Sequence, residues 1–582
     1  MAASSFDYVI RNGLVFDGSG GEPFLADVAI TGAKVVQVGK VSGRGEEEID
    51  ASGRIVTPGF VDIHTHYDGQ VTWENRLSPS SYHGVTTVLM GNCGVGFAPC
   101  KPEHRDMLVR VMEGVEDIPE IVMTEGLPWN WETFPEYMDA LEERRADMDF
   151  AAQLAHAPVR VNVMGQRGAD REPPTAEEMD KMTAMVAEAI RVGAIGVTTS
   201  RSMSHRTKAG DLAPTVETED EELLALARGL REAGAGVFQM IPASTAGGDP
   251  VAEVAFMRKL VETSGGRPLS YTLLNNTFMP DSHLQFLEKM EEASADGLPI
   301  RGQVFPRPVG VLLGLDLSFH PFRFNPSYLA TEHLPLAERV AAMRDPAMRA
   351  KLLAEEPEHS NEIFLYFASQ IETLYPLGNP PNNEPEPSHR VGEQAKRLGI
   401  SAKELVYDLL LEDEGRSTLF LPAANFLGDS LEPVRELLEH PDTLIGLGDG
   451  GAHYGMICDS SYPTSLLAYW TRDRERGPKL PLPWAINALT RRNALAIGLE
   501  DRGLIAPGMK ADLNVIDYER LQLKAPSVTY DLPAGGRRLA QKADGYDLTM
   551  VSGEVTYRKG EATDALPGRL VRNPATRASR QA

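Results

Sequence analysis

Short apolar runs alternate with amphipathic stretches through the middle of the chain. Eight of these runs have the length and the β-branched character of strands, and segments with helical periodicity separate them. The predicted strands cover residues 60–64, 85–90, 150–155, 195–199, 236–241, 269–274, 300–305 and 443–448. Strands that alternate with helices pair in parallel, so this pattern predicts an α/β fold with a TIM-type (β/α)8 barrel. In such a barrel the functional side chains collect where the strands end.

Both ends of the chain show another pattern, in which short β-rich runs are joined by glycine turns. Residues 6–57 contain several such runs, and Asn12-Gly13 predicts a tight turn between two of them. Residues 510–521 and 546–560 repeat the pattern near the other end. We therefore expect a small β-domain assembled from both ends of the chain, beside the barrel.

The spacing of the predicted strands also marks an insertion. The interval between the seventh and eighth strands is far too long for one helix, so we expect extra structure near the mouth of the barrel. The expected organisation is a β-sandwich domain from residues 1–58 and 491–570, a barrel from residues 59–490 with an insertion at about 306–442, and a disordered tail at 571–582. The insertion would shape or cover a substrate pocket.

Composition and charge narrow the range of functions. The chain has 582 residues, enough for more than one domain, and its 57 Lys and Arg against 83 Asp and Glu give a net charge of −26. This negative field repels polyanions and anionic membranes, so we expect neither nucleic-acid nor membrane binding. The three cysteines form no disulfide framework, and the first residues lack a signal-peptide pattern. We therefore expect a cytoplasmic protein.

The first predicted strand ends in His64-Thr65-His66, after an apolar run that begins at Phe60. Successive side chains on a strand point to opposite faces, so the two imidazoles point the same way and Thr65 points away. Two imidazoles on one face, at the end of a buried strand, are placed to bind one metal ion. A pair of surface-loop histidines is the alternative for a bare His-x-His motif.

Two segments at opposite ends of the chain carry a resemblance to a known family. Residues 58–68, with the sequence PGFVDIHTHYD, resemble the first barrel strand of the amidohydrolase superfamily, where His-x-His binds the catalytic metal. Residues 499–517 resemble the superfamily's return from its barrel to its β-domain. Two such matches are much harder to obtain by chance than one. The resemblance implies a metal-dependent hydrolase on a barrel with an accessory β-sandwich.

The resemblance also implies two further metal ligands. The sequence Gly-Asn-Cys-Gly at residues 91–94 is similar to the D-aminoacylase branch, the N-acyl-D-amino-acid deacylases, in which this cysteine binds zinc. A thiolate suits zinc, so Cys93 is an expected ligand, with a small buried apolar side chain as the alternative. Asp449 follows the eighth strand, where the superfamily's aspartate binds the metal and transfers the proton. A simple Asp-Gly-Gly turn is the alternative there.

The chain departs from the family after the fifth and sixth strands. The family places a histidine after each of these strands, whereas this sequence offers Gln239 and Tyr271. Neither is a usual zinc ligand, and we expect them to contact the substrate instead. The complete ligand set is His64, His66, Cys93 and Asp449. We therefore predict one firmly held Zn²⁺ ion, with a second ion weak or absent.

Other residues at predicted strand ends are candidates for contacting the substrate. His156, after the third strand, resembles the histidine of a Gly-His-Gly segment in D-aminoacylases and could act as a catalytic residue that polarises the scissile carbonyl. His205 and Arg206 after the fourth strand, Arg307 after the seventh and His453 after the eighth are the expected substrate contacts. D-aminoacylases hold a substrate carboxylate with a lysine and an arginine that this chain lacks, and Arg206 and Arg307 are the basic residues that could replace them.

The resemblance implies hydrolysis of a C–N amide bond by metal-activated water, with Asp449 as the general base. N-acyl-D-amino acids are the substrates of the D-aminoacylase branch. Because the expected carboxylate anchors are missing, cyclic amides and neutral hydrophobic amides stay open as alternatives. A metal-binding barrel that has lost hydrolysis is a further alternative. We expect a small amide as the binding partner, and a homo-oligomer.

Overall fold

Parallel strands form the centre of the molecule. The structure is a computed structural model and describes residues 5–243, 247–359 and 362–576. Within these ranges, eight central strands lie within a few residues of the eight predicted runs. In chain order they span Phe60–Thr65, Val85–Met90, Asp149–Ala152, Gly196–Ser200, Val237–Ile241, Leu269–Thr272, Ile300–Val304 and Thr443–Ile445. We number them one to eight.

The central strands form two parallel sheets, and the chain passes from the first sheet to the second at the end of the third strand. Strands one to three form the first sheet, and strands four to eight form the second, with Leu154–Ala155 at its edge. Only Gln153 separates that short segment from the third strand, which therefore borders both sheets. At the other end, Thr65 forms a parallel bridge with Gly450, and the His66 N–H donates to the Gly450 carbonyl at 2.7 Å. These contacts bring the residues after the eighth strand against the end of the first.

Helices connect the central strands and cover their outer surface. In helix Ala176–Arg191, the side chains of Thr175 and Glu178 cap the first turn reciprocally. Its Met182 and Val186, one turn apart, are fully buried. A helix with one apolar stripe packs that stripe against the strands and so fixes where the strands end. The other main connecting helices span Arg105–Glu116, Phe134–Glu142, His156–Met164, Asp220–Ala233, Pro250–Thr263, Ser282–Ala295 and Glu432–Glu439.

Both ends of the chain contribute to a nine-stranded sheet. Its strands span Phe6–Val15, Phe24–Thr31, Lys34–Gly39, Gly45–Asp50, Ile55–Pro58, Leu513–Ile516, Tyr546–Val551, Glu554–Arg558 and Glu561–Ala562. Ile55–Pro58 pairs with Phe6–Val15 on one side and with Leu513–Ile516 on the other. This central strand joins the two halves edge to edge, so both ends of the chain form one hydrogen-bonded sheet.

Asn12-Gly13 does not form the predicted turn. The strand Phe6–Val15 runs through both residues, and a bulge interrupts its register against Phe24–Thr31. Asn12 has a left-handed φ of +59°, and its N–H donates to the Asp27 carboxylate at 3.0 Å. Asn-Gly tolerates positive φ, and here that conformation forms a β-bulge instead of a turn. Neighbouring strands pair with Phe6–Val15 on both sides and keep it extended.

The insertion is shorter than the predicted 306–442. Val309–Leu313 and Leu419–Ala424 pair antiparallel in a small separate sheet, and the helices between them have their own apolar core. Helix Glu432–Glu439, by contrast, packs against the seventh and eighth central strands. The insertion therefore covers about residues 309–424, and the rest of the predicted segment leads into the eighth strand.

The segment just after residue 491 belongs to the centre of the molecule and not to the end sheet. In helix Asn493–Ala496, the Asn493 amide donates to the carbonyls of Val61 and Ile445, at 2.8 Å each. These bonds join the helix to the first and eighth central strands. The end sheet resumes only at Leu513–Ile516.

The predicted disordered tail is wrong for residues 571–576. The Val571 N–H donates to the Phe150 carbonyl at 2.8 Å, and the Asn573 N–H donates to the Gly193 carbonyl at 2.9 Å. These bonds hold the segment against the third central strand and a nearby loop, so it is fixed in place. The remaining part of the predicted tail, residues 577–582, lies outside the described residues. No helix in the described part of the chain is long and apolar enough to cross a membrane.

Candidate metal centre

Three predicted ligands converge where the first two central strands end. His64 and His66 lie at the end of the first strand, and Cys93 lies in the loop after the second. Their donor atoms lie within 4.8 Å of one another, with Cys93 Sγ 3.3 Å from His64 Nε2 and 3.6 Å from His66 Nε2. Tetrahedral zinc, with bonds of about 2.1 Å to nitrogen and about 2.3 Å to sulfur, sets its ligands about 3.4–3.6 Å apart. The three donors therefore have the spacing of ligands on one zinc ion.

Asp449 brings a carboxylate to the same place. Its Oδ1 lies 3.3 Å from His64 Nε2 and 3.5 Å from His66 Nε2. Its N–H donates to the His64 carbonyl at 3.0 Å, so the contact between the ends of the first and eighth strands fixes its position. Asp449 and nearby Leu447 adopt left-handed φ values of +46° and +64°. Such conformations cost about 1–3 kcal/mol at non-glycine residues and cluster at functional sites.

The residues that precede Cys93 in the loop after the second strand fix its position. The Gly91 N–H donates to Asp68 Oδ2 at 3.0 Å. A Cβ at Gly91 would lie 2.6 Å from the Gln153 carbonyl oxygen, so this position requires glycine. The Asn92 side-chain amide donates to two backbone carbonyls at the ends of the first two strands, at 3.1 and 2.9 Å. The Gly-Asn-Cys-Gly sequence thus fits tightly between three strand ends.

A buried hydrogen-bond chain orients His64. His64 Nδ1 lies 2.9 Å from Gln303 Oε1, and Gln303 Nε2 donates to Ser270 Oγ at 2.9 Å. An amide oxygen can only accept, so the imidazole proton lies on Nδ1 and the Nε2 lone pair is available to a metal. All three residues are buried. Sequence analysis did not identify Gln303, which orients His64 and also lines the cavity beside the ligands.

Charge around the donors favours a bound cation. Burial raises the pKa of the Cys93 thiol to about 12, so the thiol stays protonated in the absence of a positive ion. Burial lowers the pKa of His66, but the charges of Glu116 and Cys93 outweigh burial and hold it well above its usual value. Burial likewise raises the pKa of Asp449, but its hydrogen bond to His66 and the charge of His64 bring it below the usual range. Asp449 is thus the ionised donor, and a divalent cation would take the place of the protons on the Cys93 thiol and the His66 imidazole.

Glu116 is a site residue that sequence analysis missed. It ends the helix Arg105–Glu116, is 1% exposed, and places Oε2 3.4 Å from both His66 Nε2 and His453 Nε2. Burial raises the pKa of its carboxyl to about 7, with His66 acting in the opposite direction. Because it lies on a connecting helix, no ligand spacing in the sequence pointed to it.

Known proteins share this architecture. The pattern of the Amidohydrolase family matches residues 47–557. The chain belongs to the amidohydrolase family. It is 25% identical to the D-aminoacylase of Alcaligenes xylosoxydans xylosoxydans, over 98% of each chain. It also shares the fold of a D-aminoacylase crystal structure, with a TM-score of 0.65, 23% identity and 97% and 100% of the two chains covered.

A second solved structure shares the fold. The N-acyl-D-glutamate deacylase from Bordetella bronchiseptica, complexed with zinc and a phosphonate inhibitor, has a TM-score of 0.64 to this amidohydrolase. The two sequences are 20% identical, and the match covers 97% of this chain and 99% of the other. The fold is thus a TIM-type barrel with an additional domain, and the predicted resemblance to the D-aminoacylase branch is confirmed.

His156 of the amidohydrolase is held in a buried network of its own. Its Nδ1 lies 2.9 Å from Thr199 Oγ1, and its Nε2 lies 2.8 Å from Glu222 Oε1. Arg160 forms an ion pair with the other oxygen of Glu222. Both ring nitrogens are engaged and the side chain is fully buried. The predicted catalytic role of His156 is therefore wrong, because no ring nitrogen is left for a substrate carbonyl.

Gln239 and Tyr271 point to opposite faces of the central strands. Strand alternation places Tyr271 on the outer face of the sixth strand, where its ring packs against Phe286 at a centroid distance of 5.2 Å. Gln239 lies on the inner face, but Gln153 Nε2 donates to its Oε1 at 2.7 Å and its own Nε2 donates to the Ile63 carbonyl at 3.3 Å. The substrate contact predicted for Tyr271 is wrong, since its side chain points away from the ligands. The contact predicted for Gln239, which is hydrogen-bonded but lies beside the ligands, stays a prediction.

A small cavity separates the ligands from the fifth and sixth strands. Its volume is about 10 Å³, and its lining includes His64, Cys93, Gln239, Thr272 and Gln303. This is the space of about one water molecule. Thr272 and Gln239 occupy the inner face at the ends of the sixth and fifth strands, and neither is a usual zinc ligand. The described residues therefore offer little support for a second ion on this side.

His205 and His453 lie beside the ligands, where substrate contacts were predicted. Burial, and then the charges of His453 and His66, lower the pKa of His205 to about 3. Burial also lowers the pKa of His453 to about 4, although the Asp449 charge opposes it. Both imidazoles are therefore neutral near pH 7, and each can donate one hydrogen bond and accept another.

The two arginines predicted to hold a carboxylate are engaged elsewhere. Arg206 Nη1 donates to the Gly210 carbonyl at 2.8 Å within its own loop. Arg307 is 7% exposed, pairs with Asp459 at 2.9 Å and donates to Ser461 Oγ at 2.9 Å. The charge of Arg307 is thus balanced by the partly buried carboxylate of Asp459. The contacts of Arg307 contradict its predicted substrate contact, whereas the substrate contact of Arg206 stays a prediction.

Proposed function

We propose that this amidohydrolase cleaves the amide bond of a small N-acylated substrate with one firmly held zinc ion, at the mouth of a closed (β/α)8 barrel. The observation that carries the proposal is the convergence of two imidazoles, a thiol and a carboxylate at the spacing of zinc ligands. The names of the similar proteins, D-aminoacylase and N-acyl-D-glutamate deacylase, support an N-acyl bond as the target.

His64, His66 and Cys93 would hold the ion, and Asp449 would complete the set. When bound, zinc supplies a Lewis acid that lowers the pKa of a water and polarises a carbonyl. The protein prepares the ligands for this ion: Gln303 keeps the His64 Nε2 lone pair free, and the loop around Cys93 fixes the thiol at the strand end.

Asp449 would transfer the proton during the reaction. Its lowered pKa keeps the carboxylate ionised near neutral pH, against the effect of burial, so that it can accept a proton from the attacking water. The water oxygen adds to the acyl carbon, the C–N bond breaks, and Asp449 returns the proton to the departing nitrogen. His205, neutral and beside the ligands, would donate a hydrogen bond to the acyl oxygen.

The substrate would be neutral on its amine side. A carboxylate anchor usually needs a free Arg or Lys, and the arginines at Arg206 and Arg307 are already paired with a carbonyl and with Asp459. We therefore expect N-acyl amides and esters to be better substrates than the corresponding free N-acyl-D-amino acids.

The test is hydrolysis of matched substrate pairs, each an N-acyl-D-amino acid and its carboxamide, together with a cyclic amide, by protein of known zinc content. His66→Ala should abolish turnover and lower the bound zinc. His333→Ala, which removes an exposed histidine in the insertion, should change neither. Turnover by His66→Ala at the wild-type rate would contradict the proposal. A preference for free acids would overturn the substrate assignment alone, and selective turnover of the cyclic amide would assign that class instead.

A further inference from the structure

The Glu116 carboxylate is buried without a hydrogen-bond donor. Neither of its oxygens has a hydrogen-bond partner among the described residues, although the side chain is only 1% exposed. An ionised carboxylate in such a place costs several kcal/mol unless a positive charge or donors compensate for it. The Nε2 atoms of His66 and His453 each lie 3.4 Å from its Oε2. Both oxygens of this buried carboxylate are therefore available to a bound cation.

The spacing around Glu116 repeats that of the first ligand set. Two ligands on one zinc-like ion lie about 3.4 Å apart, which is the distance between Glu116 Oε2 and His453 Nε2. His453 is largely buried, with 26% of its side chain exposed, so small ions and water can reach the space between the two groups. A carboxylate and a neutral imidazole are ordinary ligands for divalent metals.

Backbone contacts hold the two groups in this arrangement. The His453 N–H donates to the Glu116 carbonyl, and His453 adopts a left-handed φ of +50°. The next residue on the helix side, Asp117, accepts hydrogen bonds at 3.1 Å from both the Gly455 N–H and Ser318 Oγ. The helix end and the loop after the eighth strand are therefore joined both at the Glu116–His453 pair and at the residues that follow it. A strained residue held by such contacts is typical of a functional position.

We propose that Glu116 and His453 form a second divalent-cation position beside the first, with water completing its coordination. The proposal rests on the proposed function, since His66 belongs to the first ion and lies 3.4 Å from the same Glu116 oxygen. It places the second ion towards the helix Arg105–Glu116. The opposite side, towards the fifth and sixth strands, provides a cavity of only about 10 Å³ with Gln239 and Thr272 in its lining.

The test is a Co²⁺ titration of metal-free, full-length protein, with bound metal measured by elemental analysis and the absorption spectrum recorded at each step. Thiolate-to-cobalt charge transfer reports the ion on Cys93. In wild type, this band should saturate with the first ion, and a second, weaker ion should then bind without adding to it. Glu116→Gln should lose the second ion and keep the band, because the amide removes the charge with little change in shape. His453→Ala should also lose the second ion and keep the band. This variant tests the proposal independently if Glu116→Gln does not fold.

Glu113→Gln is the matched control. Glu113 lies on the same helix, and its carboxylate forms an ion pair with Lys208 at 2.7 Å, away from the imidazoles. This variant should bind both ions. The inference is overturned if wild type binds only the first ion, if Glu116→Gln still binds both, or if Glu116→Gln loses the charge-transfer band. A wild type that shows no charge-transfer band would instead overturn the proposed function, so the two failures are distinct.

Discussion

The hydrogen-bond chain from His64 through Gln303 to Ser270 allows a quantitative test of how the fold prepares its metal ligands. Gln303→Leu keeps the volume of the side chain but removes the oxygen that accepts the His64 Nδ1 proton at 2.9 Å. The buried Nδ1–H then lacks a partner, at a cost of about 1–3 kcal/mol, and the imidazole can adopt the tautomer that protonates Nε2. Loss of such a supporting bond typically weakens metal binding about 10–100-fold, or about 1.4–2.7 kcal/mol.

Zinc affinity, measured by competition with a chromophoric chelator, is the assay for this prediction. Ser270→Ala is the graded control, because it removes the distal acceptor of the Gln303 amide and leaves the bond to His64 in place. Its effect on zinc affinity should be several-fold smaller. Gln303→Glu, which still accepts from Nδ1, should keep zinc affinity at or above the wild-type value. If Gln303→Leu binds zinc as tightly as wild type, His64 either is not a ligand or does not depend on Gln303.

Three further predictions concern the proton shuttle, acid stability and substrate charge. Asp449→Asn should lose about 10²–10⁴-fold in kcat while retaining zinc, because an amide oxygen can bind the metal but cannot accept the proton. A wild-type kcat in this variant would show that another residue is the general base. Burial lowers the pKa of His83 to about 3, against about 6.5 in an unfolded chain, so the unfolded state takes up the proton first as pH falls. The stability that comes from keeping His83 neutral is present above pH 6.5 and is lost towards pH 3, and the loss between pH 7 and 5 amounts to about 2 kcal/mol. The free energy of unfolding of His83→Gln, measured with denaturant, should therefore fall less steeply with pH in this range than that of wild type. The same pH dependence in both proteins would refute this. Arg206→Ala should leave KM unchanged for acidic and neutral substrates alike, and a KM rise confined to free acids would show that Arg206 reaches the carboxylate.

The strand ends were the part of the site that could be predicted from sequence. A period of two on a buried strand places His64 and His66 on one face, and the structure brings their Nε2 atoms to a shared thiol and carboxylate. The same rule shows why Tyr271 was the wrong choice on the sixth strand. The inner-face residue there is its neighbour Thr272, and a one-residue shift in register exchanges the two faces.

Contacts between segments that are distant in the chain could not be predicted from the sequence. Glu116 lies on a connecting helix, and only the packing of that helix against the loop after the eighth strand brings its carboxylate to His453. His156 likewise looked available because its partner Glu222 lies 66 residues away on another helix. Asn12-Gly13 favours positive φ, and whether that produces a turn or a bulge depends on strands from elsewhere in the chain.

Zinc reconstitution of metal-free protein tests the central claim most directly. The protein is stripped with a chelator, its residual metal is measured, and amide hydrolysis is followed as zinc is added back. The account predicts no turnover without metal and a rise in rate that follows occupancy of the first ion, with Cys93→Ser needing a higher zinc concentration to reach half of its own maximal rate. Full amide hydrolysis by protein shown to contain no metal would contradict it.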